Sequence, residues 1–555
     1  MKKTAITLLL AGITASAGAQ TMNDALNFSK SDYVGTARTV AMGNAFTALG
    51  GDLGAVSINP AGSAVARYSQ VALTPGVNIA VNSATGVQGG FEKSLRTSIG
   101  RFAMPNIGFS INFDTHRTSG LKNWAFGFSA NMTDSYLDDM VASGTNGSTS
   151  FAGSLATFAS GWLVDDLADD YAYDNIPVSD WRAVAGLQSG IIGLVPLLPG
   201  QSEADAPADQ YIGVTENATL MTGPDGSQYY QLGLPSGAML DQTFARRTTG
   251  SKYDYVINLG MNFSDIIYVG ANLGITSMDY RHQYFIRESA QDPDFFSTGF
   301  SSLKYSYGYS AAGTGVYGKF GIIVTPFKGL RLGAALQTPT ATSIKESWSL
   351  SAEQNSLSQD YSSGSSESPE GEYRYNLTSP LRFNAGVAYT FGSFALVSLD
   401  YEICDYSAMK FREKGSNDNS AFETANSDIA GNLRKVHELR AGVEIKPLPA
   451  LSVRAGYNFR TSALPEDIEY ENQYLWEKTA GTTNSFSLGV GYSSKGSFYA
   501  DAAVRMTRYA DSWIYPYDYY YFDGTNLNVD TTVAVPEILS RRTRWMALLT
   551  LGFRF

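Results

Sequence analysis

The chain has 555 residues, 40 basic and 52 acidic side chains for a formal net charge of −12, and one cysteine. This balance disfavours nucleic acid as a partner, because phosphate binding needs clustered Lys and Arg, and the lone Cys404 excludes an intramolecular disulfide or a cysteine zinc site. His116, His282 and His437 are scattered without metal-ligand spacing, so no metal and no cofactor is expected.

At the start, Lys2 and Lys3 precede an apolar run at 5–13 and the small residues Ala17-Gly18-Ala19. A basic region, a short apolar core and an A-x-A site predict a secretory signal over 1–19, with Gln20 as the first mature residue. Losing the two lysines leaves 38 basic against 52 acidic residues, a net charge of −14. Beyond the signal, Gly (55) and Tyr (34) are abundant and charge is sparse at 17%. No apolar stretch approaches the ~18 residues of a membrane helix. In a bilayer only helices and closed barrels satisfy their backbone hydrogen bonds. The predicted fold class is therefore all-β, a transmembrane antiparallel barrel in the cell outer membrane.

Residues 20–68 are not strand-like. Small residues with helical apolar spacing run from Gly35 to Gly51, followed by Asp52 and the turn punctuation Asn59-Pro60-Ala61-Gly62. Small residues permit close packing, and about fifty residues fit a plug, or hatch, inside the lumen.

From residue 69 onward, fourteen runs alternate apolar with polar or small residues: 69–82, 105–114, 122–132, 251–263, 265–287, 303–324, 328–345, 378–391, 393–410, 433–446, 449–461, 483–493, 496–510 and 541–555. Linkers alternate short and long, as in barrels with short periplasmic turns and long outer loops. Residues 83–104 are expected as an outer loop, and 133–250 as an extracellular insertion in the barrel unit 69–555. The last run, Trp545 to Phe555, is apolar at every odd position. Phe555 is the kind of terminal aromatic that the barrel-assembly machinery reads.

Period two turns Trp124, Phe126 and Phe128 toward lipid, and Asn123, Ala125 and Gly127 inward. Leu381 and Phe383 face out, Arg382 and Asn384 in. A lipid-facing Arg or Lys at the midplane costs roughly 2–4 kcal/mol, and nearly every strand charge falls inside. Inward Arg382, Arg440, Arg454 and Arg505 are candidate partners for a carboxylate ligand. The preferred reading is an internal network with Asp400, Glu402, Glu438, Glu444 and Asp501. In the insertion, Trp162, Leu163, Ile191 and Leu194 form either a ligand-collecting patch or the core of a small cap. Gly127, the interior glycine of the third run, is the candidate for a kink; Pro75 marks a gap or a rim. No Ser/His/Asp grouping is evident, so no catalysis is expected.

The segment from Gly35 to Gly62 resembles the hatch of the FadL family, transporters of long-chain fatty acids and aromatic hydrocarbons. Arg38, Gly43, Ala45, Asp52, Asn59, Pro60 and Ala61 match its R-x-x-A-M/G-G-x-A start, its acid and its N-P-A signature. The resemblance implies a fourteen-strand barrel whose hatch residues Arg38, Gly43, Asp52, Asn59, Pro60 and Ala61 take part in gating. It further implies passive uptake of a hydrophobic ligand, most simply a long-chain fatty acid. The ligand would pass through a lumen pocket, past a shifting hatch, and out sideways at a kinked third strand into outer-membrane lipid. The expected state is a monomer. A protein-binding shuttle of the type IX secretion kind, and a haem receptor, stay open as alternatives.

Overall fold

The computed structural model describes residues 20–202, 207–223, 226–358, 361–415, 420–466, 468–494, 497–518, 521–522, 527–528 and 535–555; the expected signal peptide lies outside them. Alternating sequence produces fourteen barrel strands, several in two segments. They are β1 (Gln70–Gln88), β2 (Leu95–Asp114), β3 (Leu121–Ser135, then Asp138–Asn146), β4 (Leu240–Phe263) and β5 (Ile267–Ala290). Next come β6 (Phe300–Phe327), β7 (Leu330–Gln337, Ala341–Ser356), β8 (Gly371–Thr378, Arg382–Phe391), β9 (Ala395–Asp405, Lys410–Glu413) and β10 (Lys435–Leu448). The last are β11 (Leu451–Arg460), β12 (Thr483–Ser493), β13 (Phe498–Arg508, Asp511–Tyr515) and β14 (Glu537–Arg554). All neighbours are antiparallel, and β1 closes the barrel on β14 from Gln70↔Arg554 to Gln88↔Glu537. Among the described residues no helix is long and apolar enough to cross a membrane.

The period-two sorting holds along the wall. Leu381 and Phe383 are 46% and 39% exposed, whereas Arg382 and Asn384 are buried. Leu273, Ile275, Val316 and Phe320 belong to a belt of exposed apolar side chains. Beyond that belt the strands keep going: β4 and β5 have 24 residues and β6 has 28. Two expectations fail for this reason. Residues 83–104 are not a loop; they form the outer halves of β1 and β2, turning at Gly89 and Gly90, both at positive φ. Likewise 133–250 is not one insertion, since it holds the outer segment of β3 and the first part of β4, paired from Asp138↔Thr248 to Asn146↔Leu240. Past the apolar belt both faces are polar or mixed, as in Ser83, Thr85, Arg96 and Ser98, so the alternation that marks a strand fades.

At the long-loop end, α3 (Phe151–Ala159), α4 (Val164–Ala168), α5 (Ala172–Asn175) and α6 (Trp181–Gln188) form a cap, following α1 (Met22–Ser29) and α2 (Ala37–Ala41) of the N-terminal segment. Phe151 packs against Tyr305, and Trp181 faces Tyr173 edge-on. Tyr280, Tyr284, Tyr305, Tyr307 and Tyr309 line the lumen beneath.

Candidate functional site

The N-terminal segment fills the barrel and is built from tight turns. Thr36 caps α2, and Asp52 accepts from the Thr36 hydroxyl at 2.6 Å and the Gly54 N–H at 2.9 Å, tying the two ends of the plug together. Gly43 turns the chain at φ 63°, with the Tyr457 and Ala441 carbonyls within 3 Å of where a Cβ would stand. Asn59 caps the 3-10 turn Pro60–Val65, accepting from Ala61 N–H at 3.1 Å. Its amide donates to Thr47 O at 2.6 Å and to wall carbonyls of Ile322 and Ala334 at 3.2 and 3.3 Å. Pro60 O accepts from Asn258 at 3.1 Å. The wall receives this backbone on inward glycines: a side chain at Gly270, Gly321, Gly333 or Gly456 would overlap Pro60, Asn59, Thr47 or Gly43. The matched hatch residues thus hold the plug's shape and its contact with the wall.

Charge fixes the rest. Arg38 Nε reaches Glu444 at 2.9 Å, and Arg454 bridges Glu444 at 2.6 Å and Asp501 at 2.5 Å. Arg440 joins Glu402 (2.5 Å) and Glu438 (2.7 Å), and Arg382 joins Glu402 (3.0 Å) while donating to the Ser29 carbonyl at 2.6 Å. Arg505 clamps Asp32 of the plug at 2.6 Å. All four arginines named as candidate carboxylate partners are engaged in the internal network, the reading preferred from sequence. Of the cap residues, Ile191 is fully buried and Trp162 half-buried, while Leu163 and Leu194 are exposed. They do not form one patch with the lumen arginines.

What is open is a cavity of about 250 Å³ between the N-terminal segment and the inner face of the wall. Its floor is Leu26, Lys30 and Asp32; Arg246, Tyr280 and His282 stand on one side, Arg460, Arg542 and Arg544 on others. Most of its charges are paired: Arg246 with Glu477 at 2.5 Å, Arg460 with Glu438 at 2.8 Å, Arg544 with Asp134 at 3.9 Å. Two groups are not. Lys30 has no carboxylate within 4.0 Å among the described residues, and burial holds its amine down at about 8. The Nε2 of buried His282 has no partner. A second, more open cavity shares Thr461, Ser462, Leu464 and Gly481 with the first and leads toward the surface. Inward parity on β11 could have pointed to Arg460, and the run Arg541-Arg542-Thr543-Arg544 in the outer part of the last strand to two more. Nothing local marks Lys30.

Among the described residues the ladder between β2 and β3 is interrupted. The β2–β3 ladder stops at Asn106↔Asn131, directly after Pro105, which has no N–H to offer. Pro75 lies in the matching irregularity of β1, between Thr74 and Gly76. β3 then shifts register between Met132 and Asp134 and continues laddered to β4, touching the β1–β2 side through the single bridge Lys93↔Ser143 and the Thr97 hydroxyl on Asp139 O. Gly127, the expected kink, lies in regular pairing with Ser110 and Asn258. Across the gap Tyr253 and Ala103 pack with Met132, and Tyr253 meets the backbone of Met104.

No protein family and no curated protein sequence matches the chain. Solved structures do. A Pseudomonas aeruginosa FadL homologue is similar at 11% identity and TM-score 0.50, over 94% of this chain and 98% of its own. The P. putida toluene transporter TodX shows 12% identity and TM-score 0.48 over 94% and 98% of the two chains. The Ralstonia pickettii toluene transporter TbuX shows 12% and 0.44 over 96% and 100%. At such identities the likeness concerns architecture. The chain has the fold of the FadL homologue, a fourteen-stranded antiparallel barrel closed around an N-terminal plug.

Proposed function

We propose that the protein is an outer-membrane channel for passive uptake of hydrophobic compounds with an acidic head, a long-chain fatty acid first among them. The carrying observation is a cavity lined by Lys30, an ammonium with no carboxylate within 4.0 Å among the described residues, and by His282, whose Nε2 has no partner. A carboxylate would pair with Lys30, and Leu26, Tyr136, Tyr280 and Leu464 offer apolar surface to the attached chain. At about 250 Å³ the cavity is smaller than the ~300–1,000 Å³ of ordinary ligand pockets. A long acyl chain therefore requires the floor, α1, to move. The remainder of the plug stays on its glycine seats. In this reading the ligand enters beside the 461–464 loop and leaves sideways between β2 and β3, where Tyr253 and Met132 form the door.

Cells lacking their own transporter should take up radiolabelled long-chain fatty acid when they carry this protein, and Asn59→Ala/Pro60→Ala should alter the rate. Absence of uptake with the barrel inserted would overturn the fatty-acid assignment.

Lys30 also sets a pH signature. A bound carboxylate raises its pKa above the free value of about 8, so affinity is complete below that value. It falls as pH climbs through the bound-state pKa. Charge-assisted hydrogen bonds contribute about 1.5–3 kcal/mol, so Lys30→Gln should weaken fatty-acid binding roughly 10–100-fold at pH 7. The same substitution should flatten the decline. Titrations of the purified barrel between neutral and alkaline pH check this, with toluene as the uncharged control; a flat wild-type profile would sink it.

A further inference from the structure

The residue expected to follow the signal ends deep inside the molecule. Gln20 is buried, and its side-chain amide donates to Glu346 Oε1. Glu346 projects inward from β7, is 1% exposed, and accepts the Tyr309 hydroxyl on its other oxygen at 2.7 Å. Asp24 is equally buried. It accepts from the Thr21 N–H at 3.0 Å, completing the capping box of α1, and from Gln473 at 3.1 Å. The groups acting on the two carboxylates are Thr21, Gln20, Gln473, Tyr309, Tyr375, Glu471 and each other, all neutral or acidic. Neither carboxylate has a Lys, Arg or His within 4.0 Å among the described residues. Charges buried without a counter-ion are strongly unfavourable.

Removing residues 1–19 would supply the absent cation. Hydrolysis of the Ala19–Gln20 peptide bond consumes one water, leaves a carboxylate on the released peptide, and creates an ammonium on the residue whose side chain already touches Glu346. We propose that the mature α-amino group of Gln20 is the buried counter-ion of Glu346 and Asp24, a latch that fixes the amino end of α1 beneath the cap. In the precursor this nitrogen is an uncharged amide, so the latch forms only on processing. The inference depends on the signal reading and is independent of the cargo.

The test uses the barrel purified from outer membranes, with intact mass, N-terminal sequencing, and an amine-terminus-selective aldehyde applied to folded and denatured protein. The expected amino end is Gln20 with a free amine. Labelling in the folded barrel should be at least about tenfold slower than after denaturation, as for a group exposed only on local opening. Glu346→Gln should remove most of that protection, and Asp24→Asn provides a second reading should Glu346→Gln not fold. Glu288→Gln alters another buried carboxylate, held by Gln242 and Phe151 N–H, and should leave protection intact. Heat-modifiable gel mobility reports folding of each variant. A different amino end, a cyclised Gln20 lacking its amine, equal labelling of folded and denatured wild type, or full protection in Glu346→Gln would each overturn the latch.

Discussion

Gly456→Leu is expected to give a barrel that inserts normally but stands open. Gly456 is the seat on β11 for Gly43 of the plug, and Gly442, its partner across the ladder, is the seat for Met42. Both surfaces are backbone, so neither can rotate aside as a side chain would. Overpacking a core ordinarily costs about 1–3 kcal/mol. Here four added carbons must displace a left-handed turn pressed on two strands, so the expected response is release of that part of the plug. The barrel wall loses no ladder bond. Single-channel recordings should change from closed to persistently conducting, and amide exchange should accelerate across residues 36–62. Gly308→Leu, which points from β6 into open space with nothing nearer than 3.9 Å, should behave as wild type. A closed Gly456→Leu channel would show that the wall accommodates the side chain and that the glycine seats do not fix the plug.

The second large effect should come from Glu444→Ala. This carboxylate is almost fully buried and receives Arg38 from the plug and Arg454 from the wall. Arg454 keeps Asp501, but Arg38, half-buried at 20% exposure, is left without its paired anion. Breaking a buried pair in this way costs about 3–5 kcal/mol, whereas replacing both members by apolar residues is often neutral. Exchange at α2 should rise by roughly 10²–10³-fold in Glu444→Ala and return toward wild type in Arg38→Met/Glu444→Met. Equal exchange in the single and double variants would mean that the pair does not hold the plug.

The barrel was legible because burial on one face and lipid on the other impose period two, and the terminal run 545–555 displays it cleanly. The plug was legible through its small residues and Asn59-Pro60. Where strands rise past the apolar belt the two faces stop differing, and the outer halves of β1, β2, β3 and β4 were invisible for that reason. Arg382, Arg440, Arg454 and Arg505 were correctly turned inward, but direction alone cannot say whether a guanidinium meets a ligand or a neighbour. Apart from Glu438 on Arg440's own strand, their carboxylates lie on other strands and on the plug, at separations of up to 473 residues. The break in the wall misled for a related reason. The ladder from β2 to β3 begins only after Pro105, which has no N–H to offer, whereas Gly127 sits in regular pairing.

The seam between β1 and β14 has a kinetic consequence. Thr550 of β14 receives the Ala37 N–H of the plug at 2.7 Å and meets Thr74 of β1 at 2.8 Å, so one side chain joins seam, plug and first strand. Ala37 is separated from Thr550 by 513 residues and cannot gain this partner until the whole chain has been made. Such non-local closures are intrinsically slow. Until β1 and β14 meet, the plug lacks this anchor. Their pairing completes the ring and supplies the Thr550 contact in the same closure. A mispositioned plug would hold that seam apart, so the last event of assembly also inspects everything enclosed before it.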